Sequence, residues 1–296
     1  MQRALAFKRR GGPDNLDRAL IENAAASFHL QQARHTRYLA RVENNIGSIL
    51  MQLERHEEAL DHLNRAQQIF TTLGDSGSVA QVNETRARVF LAQNRYDDAE
   101  QAASAAVTIL ERGDEQSLFA EALATHGIAL ARLDRQQEAF DCLSRSAEIA
   151  EMAGDRVSSG RTRIIIIEQL QSHLPPTDLF KLYREADERV GQVPDADTAE
   201  CLRSAARITI AAAQRELSRT IEELLAGGSL KEEVTRYEGQ LVKRAMDESG
   251  GQVTSAARIL GITHQALCEM LKSRHKSLRI KPPRTRRGSP DLASRG

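Results

Sequence analysis

The chain has 296 residues, of which 41% are apolar and 4% aromatic, with no Trp. Its longest apolar runs, such as Ile164–Ile167, are far shorter than the roughly 20 residues that cross a bilayer, so no membrane contact is predicted. Abundant Ala, Leu, Gln, Arg and Glu favour helices, and the predicted fold class is therefore all-α.

The charges are unevenly distributed along the chain. Residues 229–296 hold 14 Lys and Arg against 7 Asp and Glu, whereas residues 1–228 hold 27 against 34. The formal net charge of zero therefore combines an acidic body with a basic C-terminal part. This asymmetry indicates an anionic partner for residues 229–296.

The cysteines and histidines give no sign of catalysis. Cys142, Cys201 and Cys268 lie far apart without paired spacing, which is typical of reduced thiols rather than of disulfides or a zinc site. The sequence has no phosphate-binding Gly loop, His-Glu metal helix or nucleophile motif. We therefore expect a cytoplasmic protein that is not an enzyme and that needs no cofactor or metal.

A pattern with a period of 40 residues runs through the first half of the chain. Small residues recur at this period in two series: Gly47, Ala87 and Gly127, and 12 residues later Ala59, Ala99 and Ala139. Small residues facing each other let two antiparallel helices approach closely. Each repeat closes with a Gly-Asp pair, at 74–75, 113–114 and 154–155, where Gly takes a left-handed cap and Asp starts the next turn.

These residues resemble the tetratricopeptide (TPR) family, in its longer form of roughly 40 residues per repeat. The resemblance implies a helical solenoid over residues 1–195. Its best repeats are 37–75, 77–114 and 117–155, with partial first and fourth repeats, and residues 196–226 are predicted to form a connecting helix. Arg86 and His126 depart from the pattern, because the family usually has an apolar residue there. The chain begins in the middle of a repeat, so we expect a truncated form of a longer array.

The resemblance also implies a groove that binds a protein or peptide partner. In such solenoids the first helix of each repeat lines a concave face. The predicted groove-facing residues are Arg41, Asn44, Ser48, Glu84 and Arg88. The alternative is that these are simply solvated polar residues.

After Gly227-Gly228, a separate small domain is predicted at residues 229–275. Ser229 and Glu232 form a capping box at the start of its first helix, and Gly250-Gly251 ends that helix. One apolar stripe is predicted on this helix: Leu230, Val234, Tyr237, Leu241, Val242, Ala245 and Met246.

The second and third helices of this domain are short and joined by a tight turn. Ala256-Ala257 allows close helix crossing, Gly261 supplies the positive φ of the turn, and Thr263 caps the third helix. The apolar residues predicted to close the three-helix core are Ile259, Leu260, Ile262, Leu267 and Leu271.

Residues Gly250–Leu271 resemble the Fis-type helix-turn-helix, found in the nucleoid protein Fis and at the C-terminus of NtrC-type regulators. The pattern GG-x-x-T-x-A-A-x-x-L-G-I-x-x-x-x-L-x-x-x-L is present intact. The resemblance implies that Thr263–Lys272 is the recognition helix. Cys268 and Glu269 depart from the family, which often has basic residues at these positions.

A recognition helix places its first residues in the major groove of double-stranded DNA. Gln265 is predicted to pair with adenine, His264 to contact guanine or a phosphate, and Ala266 to touch a thymine methyl group, beside Thr263. Other predicted contacts lie near the DNA backbone: Thr254, Ser255, Arg258, Lys272, Arg274, His275 and Lys276. Residues 276–296 are predicted to be a disordered basic tail that adds non-specific phosphate affinity. The alternative is that the tail only keeps the protein in solution.

The sequence favours a bacterial, sequence-specific transcriptional regulator, in which a TPR module senses a protein or peptide and the small domain binds DNA. One recognition helix reads only a half-site, so we expect a homodimer through the array or through residues 229–249, with half-sites about 34 Å apart. The alternative is an adaptor whose small domain docks protein or binds DNA only non-specifically. A third class is a TPR-containing regulator of a hydrolase.

Overall fold

A computed structural model of the protein describes residues 13–193, 195–226 and 230–278. All regular secondary structure in these ranges is helical, which confirms the all-α prediction. The chain divides into two compact units between Glu216 and Leu217. We call the first unit the array and the second the C-terminal unit. The division falls within the segment that the sequence predicted as a connecting helix.

The array is built from antiparallel helices joined by short turns. Its helices are α1 (Pro13–Gln32), α2 (Thr36–Gln52), α3 (His56–Thr72), α4 (Ser76–Ala92), α5 (Tyr96–Leu110), α6 (Gln116–Arg132), α7 (Gln136–Met152), α8 (Arg156–Leu170), α9 (Pro176–Val190) and the first part of α10 (Ala196–Ala226). From α2 to α10 a helix begins every 20 residues. We call the even-numbered helices A helices and the odd-numbered ones B helices, so each 40-residue repeat is one A–B hairpin.

Most of these helices are followed by a residue in the left-handed backbone conformation. Positive φ angles recur at Glu54 (60°), Gly74 (67°), Asn94 (58°), Asp134 (62°) and Gly154 (80°). Gly74 and Gly154 are each followed by an Asp whose side chain accepts a hydrogen bond from the backbone N–H three residues later. Asp75 accepts from Ser78 at 3.1 Å, and Asp155 accepts from Ser158 at 2.9 Å. These caps confirm the predicted role of two of the three Gly-Asp pairs.

The prediction for the third pair, Gly113-Asp114, is wrong. Gly113 does not have a positive φ, and Glu115 is the residue that precedes α6. Gly113 lies 39 residues after Gly74, one position ahead of the 40-residue register. The linker 111–115 is also longer than the linkers 73–75 and 153–155, so the chain turns there without a left-handed cap.

The predicted close contact between A and B helices is confirmed at the glycines. A Cβ atom added to Gly47 would lie 2.8 Å from Leu63 Cγ, and one added to Gly127 would lie 2.6 Å from Leu143 Cγ. Both leucines are fully buried. At the corresponding positions the second repeat has Ala87 and Ala103, also fully buried, so a larger residue on the A helix accompanies a smaller one on the B helix.

The register of the array continues past residue 195. Asp195 accepts the backbone N–H of Thr198 at 3.0 Å, as Asp155 does at the start of α8. Ala205 and Ala212 are buried in one apolar cluster with residues of α8 and α9. The first part of the predicted connecting helix is therefore a core helix of the array.

The C-terminal unit contains α11 (Leu230–Glu248), α12 (Val253–Ile259) and α13 (His264–Lys272), followed by a 3₁₀ turn at Lys276–Leu278. Gly250, Gly251 and Gly261 have φ angles of 60°, 81° and 67°, as the predicted turns require. Thr263 Oγ1 accepts the Ala266 backbone N–H at 3.2 Å, which confirms the predicted cap.

Some predictions for this region fall outside the described residues or need correction. Gly227-Gly228, the Ser229 capping box and residues 279–296 lie outside the described ranges. The prediction of disorder from residue 276 onward is wrong for Lys276–Leu278, which form the 3₁₀ turn.

The core of the C-terminal unit differs in part from the predicted one. It is formed by Val242, Ala245, Met246, Ala256, Ala257, Leu267 and Leu271. Ile259 is 52% exposed and Ile262 is 36% exposed, so the prediction that they close the core is wrong. Ala256 and Ala257 occupy the inward face of the short helix α12, and Leu260 packs against the core. With α12 in this orientation about its axis, Ile259 faces outward.

Candidate functional site

The A helices lie side by side, because α2 contacts α4, α4 contacts α6, and α6 contacts α8. Of the predicted groove residues, Arg41 and Arg88 are exposed, whereas Asn44, Ser48 and Glu84 are at least nine-tenths buried. The burial of Asn44, Ser48 and Glu84 contradicts their predicted position on an accessible groove, and it equally contradicts the alternative that they are solvated.

Glu84 links two neighbouring A helices. The buried Thr125 hydroxyl on α6 donates a hydrogen bond of 3.0 Å to Glu84 Oε1 on α4. Arg88 Nε lies 3.9 Å from the same oxygen. The Glu84 carboxylate is therefore held within the array, and Arg88 is the more exposed of the two side chains.

A second polar cluster, which the sequence patterns did not reveal, joins the first three helices. Glu43 on α2 accepts hydrogen bonds from Ser27 Oγ at 2.9 Å and pairs with His62 Nδ1 at 2.8 Å. Arg65 Nε lies 3.2 Å from Glu43 Oε2. The only sequence signal is the change of residue type at one repeat position, where Glu43 corresponds to Asn83 and Leu123.

Cys142, His126 and Glu100 are arranged in the order of a nucleophile, a base and an orienting carboxylate. Cys142 Sγ lies 3.6 Å from His126 Nδ1, and His126 Nε2 lies 3.2 Å from Glu100 Oε1. Burial raises the pKa of the Cys142 thiol to about 11, so the thiol is protonated at neutral pH. Its S–H donates to the Leu123 carbonyl at 3.3 Å. Since the thiolate is the nucleophile, this geometry disfavours covalent catalysis.

The N-terminal end of α13 is accessible. Thr263, His264 and Gln265 are exposed and Ala266 is half-buried. Leu267 and Leu271, on the opposite side of the helix, are buried in the core of the C-terminal unit. The helix is therefore anchored along one face while its first turn faces solvent.

The predicted backbone contacts before α13 lie on α12. Thr254 and Arg258 are exposed, and Ser255 is half-buried with its hydroxyl 3.3 Å from Gln252 Oε1. Lys272, in the last turn of α13, is exposed.

His275 does not lie on this exposed surface. It is only 7% exposed, and its Nε2 lies 3.3 Å from Glu238 Oε2 on α11. A Cβ added to Gly239 would lie 3.1 Å from the His275 ring, so the glycine makes room for the histidine. The prediction that His275 contacts DNA therefore lacks structural support, because the chain after α13 folds back onto α11.

Arg274 and Lys276 flank this buried histidine and are both exposed. Arg274 NH1 pairs with Glu238 Oε2 at 3.1 Å, so part of its charge is already neutralised. Lys272 on α13 and Arg258 on α12 are exposed cations as well.

An apolar stripe on α11 is exposed instead of buried. Val234 is 53% exposed, Tyr237 64% and Leu241 41%. They follow one another at helical spacing, on a helix whose later residues Val242 and Met246 are buried. The predicted stripe is therefore buried near the end of α11 and exposed at these three residues.

Membrane-spanning helices and metal-ligand clusters are both absent from residues 13–193, 195–226 and 230–278. No helix there is both long and apolar enough to span a bilayer. The same residues contain no group of three His, Cys, Asp or Glu side chains placed to hold a metal ion.

Comparisons with known proteins support the array. The tetratricopeptide repeat family model matches residues 38–112, which correspond to α2–α5. A search of curated proteins found no match. Similar solved structures include the apo form of RapI, with 14% identity and a TM-score of 0.57 over 92% of this chain and 74% of that chain. BtubC (BKLC) from P. vanneervenii is 10% identical, with a TM-score of 0.57 over 95% of this chain and 99% of that chain.

At these identities the likeness to solved structures concerns the fold alone. Together with the family match it confirms a TPR-like helical array, a fold that is typically non-catalytic and typically binds proteins or peptides. The family match ends before the C-terminal unit begins.

Proposed function

We propose that the protein is a DNA-binding transcriptional regulator, in which the array binds a protein or peptide partner and the C-terminal unit binds double-stranded DNA. The finer part of this proposal, sequence-specific DNA binding, rests on the Fis-type resemblance of Gly250–Leu271 and on the accessibility of α13.

The observation that carries the proposal is the exposure of His264 and Gln265 at the start of a capped and anchored helix. Base readout requires side chains that project from the first turn of a helix held firmly behind them. Burial of Leu267 and Leu271 supplies the support, and the exposed cations Arg258 and Lys272 suit neighbouring phosphates.

We expect Gln265→Ala to reduce the discrimination between the preferred DNA site and single-base variants of it by roughly 5- to 150-fold at one base pair. The side-chain amide of Gln265 has one donor and one acceptor that match the major-groove edge of adenine, and Ala removes both hydrogen bonds. The measurement is selection of bound duplexes from a random pool by the full chain, followed by fluorescence anisotropy on the enriched site and its variants. Lys272→Ala, in contrast, should weaken binding to all sequences and reduce the salt slope by about one.

Gln214→Ala and Lys181→Ala are matched controls, because both residues are exposed on helices of the array. Both should leave DNA binding unchanged. No enrichment of any duplex by the full chain, or equal discrimination by Gln265→Ala and the unmodified protein, would contradict sequence-specific readout through α13. DNA binding that enriches no particular sequence and disappears as the salt concentration rises would favour the non-specific alternative.

The exposed stripe of Val234, Tyr237 and Leu241 favours a protein contact by the C-terminal unit. An apolar patch of this kind on a soluble helix marks an interaction site. We propose that a second copy of the chain covers it, because one recognition helix contacts only half of a site and a dimer joins two halves. An adaptor that docks another protein at this stripe is the second candidate function.

Tyr237→Glu is expected to weaken self-association by roughly 30-fold, since a central tyrosine of an interface often contributes 2 kcal/mol or more. Sedimentation equilibrium of the full chain measures the change. Tyr38→Glu alters another exposed tyrosine, on α2, and should have no effect.

A monomer at all concentrations tested would reject the homodimer and leave the stripe to the adaptor hypothesis. An equal loss of association with Tyr38→Glu would move the dimer contact to the array.

A further inference from the structure

A cavity of about 570 Å³ lies between α8 and α10 in the array. Its walls combine apolar and acidic groups: Arg161, Ile164, Ile165, Glu168, Asp195, Asp197, Thr198 and Cys201. The sequence patterns gave no indication of it, because α10 was predicted to be a connector rather than a helix of the array.

One end of the cavity is occupied by a hydrogen-bonded cluster. Arg161 NH2 lies 3.0 Å from Asp195 Oδ2, and Arg161 Nε donates to Thr198 Oγ1 at 3.1 Å. Thr198 in turn donates to Asp195. The charges of Arg161 and Asp195 therefore neutralise each other. Of the other two carboxylates in the lining, Asp197 is exposed to solvent and Glu168 is half-buried.

Glu168 is half-buried beside the apolar wall. Among the described residues its carboxylate has no hydrogen bond and no ion pair. Burial raises its pKa above the usual value, because the charged form loses part of its hydration. A carboxylate held in this way lowers the stability of the free protein at neutral pH, which is typical of a group retained for binding.

We propose that this cavity binds a Lys or Arg side chain of the partner that the array recognises, with the aliphatic stem along Ile164 and Ile165 and the cation at Glu168. Long basic side chains bury their methylene groups against apolar surface while their charge stays near the rim. The cavity offers both features, an isoleucine wall and an unpaired carboxylate. This inference rests on the proposed protein-binding role of the array and specifies the chemistry of its partner.

Cys201 makes the cavity directly testable, because it is an exposed free thiol in the lining. The full chain would be equilibrated with bis(4-aminobutyl) disulfide or its neutral counterpart bis(4-hydroxybutyl) disulfide, under increasing 2-mercaptoethanol. Each reagent joins an aminobutyl or hydroxybutyl fragment to a cysteine through a disulfide bond. Mass spectrometry of the peptides that contain each cysteine gives the 2-mercaptoethanol concentration at which half of the fragment is released. We expect the ammonium fragment to need about tenfold more reductant at Cys201, the effect of one charged hydrogen bond. At the half-buried Cys268 of the C-terminal unit the two fragments should be released equally.

Glu168→Gln should bring the two fragments to parity at Cys201 without lowering the melting temperature, whereas Glu188→Gln, an exposed residue outside the cavity, should change nothing. Equal release in the unmodified protein would overturn the proposal, as would a preference that survives Glu168→Gln. The assay needs no partner and no DNA. A negative result therefore overturns only the assignment of the cavity. If the selection of bound duplexes fails instead, the result of disulfide exchange at Cys201 is unaffected.

Discussion

Gly127→Ala is expected to lower the free energy of unfolding of the array by about 2 kcal/mol, the cost of overpacking a well-filled core. The new methyl group would lie 2.6 Å from Leu143 Cγ and 3.3 Å from the Ala139 carbonyl oxygen. The carbonyl belongs to the backbone of α7, so relief requires that the two helices separate. Urea unfolding of the full chain, followed by circular dichroism, measures the loss.

Combining Gly127→Ala with Leu143→Ala tests whether the two residues form one packing unit. Leu143→Ala alone should cost about 2–5 kcal/mol, because Leu143 is fully buried. The added methyl group partly fills the space left by the leucine, and the second repeat already has Ala87 and Ala103 at these positions. We therefore expect the double variant to lose about 1–2 kcal/mol less than the sum of the single changes.

Gly113→Ala is the matched control for this pair. Gly113 has no positive φ, and a Cβ added there would lie 3.5 Å from its nearest neighbour, the Leu110 carbonyl oxygen. This substitution should be neutral or slightly stabilising, because Ala restricts the unfolded chain. Strictly additive losses in the double variant would show that Gly127 and Leu143 do not share a contact.

Glu43→Gln is expected to destabilise the array by about 2 kcal/mol at neutral pH, since it removes a charge from a buried hydrogen-bonded group. Burial by itself raises the pKa of Glu43, but the hydrogen bonds from His62 and Ser27, with the charges of His62 and Arg65, outweigh it. The folded-state pKa therefore lies below the usual value of 4.5.

The sign of the pH dependence follows from this lowered pKa. The stabilisation by Glu43 is fully present above the unfolded-state pKa, near 4.5, and is lost as the pH falls through the lower folded-state pKa. Unfolding by urea at a series of pH values from 7 down to about 3 should show a shallower acid loss in Glu43→Gln than in the unmodified protein.

Glu188→Gln, at an exposed position on α9, should leave both stability and its pH dependence unchanged. If Glu43→Gln matched this control at pH 7, the cluster of Glu43, Ser27 and His62 would contribute nothing to the stability of the array.

The part of this fold that could be predicted depended on positions where space or backbone conformation allows few residue types. Gly47 and Gly127 mark close helix contacts because any larger residue collides with a leucine, and Gly74 and Gly154 mark left-handed caps. The turn at Gly261 belongs to the same class. These requirements appear in residue type and spacing, so the sequence by itself determined the helical array, its 40-residue period and the three helices after it.

Only the tertiary structure decided which polar groups are buried and with what partners. Glu43 and His62 are 19 residues apart, and Glu84 and Thr125 are 41 apart, so each environment is created by a different helix. His275 was predicted at a DNA interface but packs against α11. The burial of a polar or apolar side chain depends on what the neighbouring helix presents, and a local pattern of residues does not contain that information.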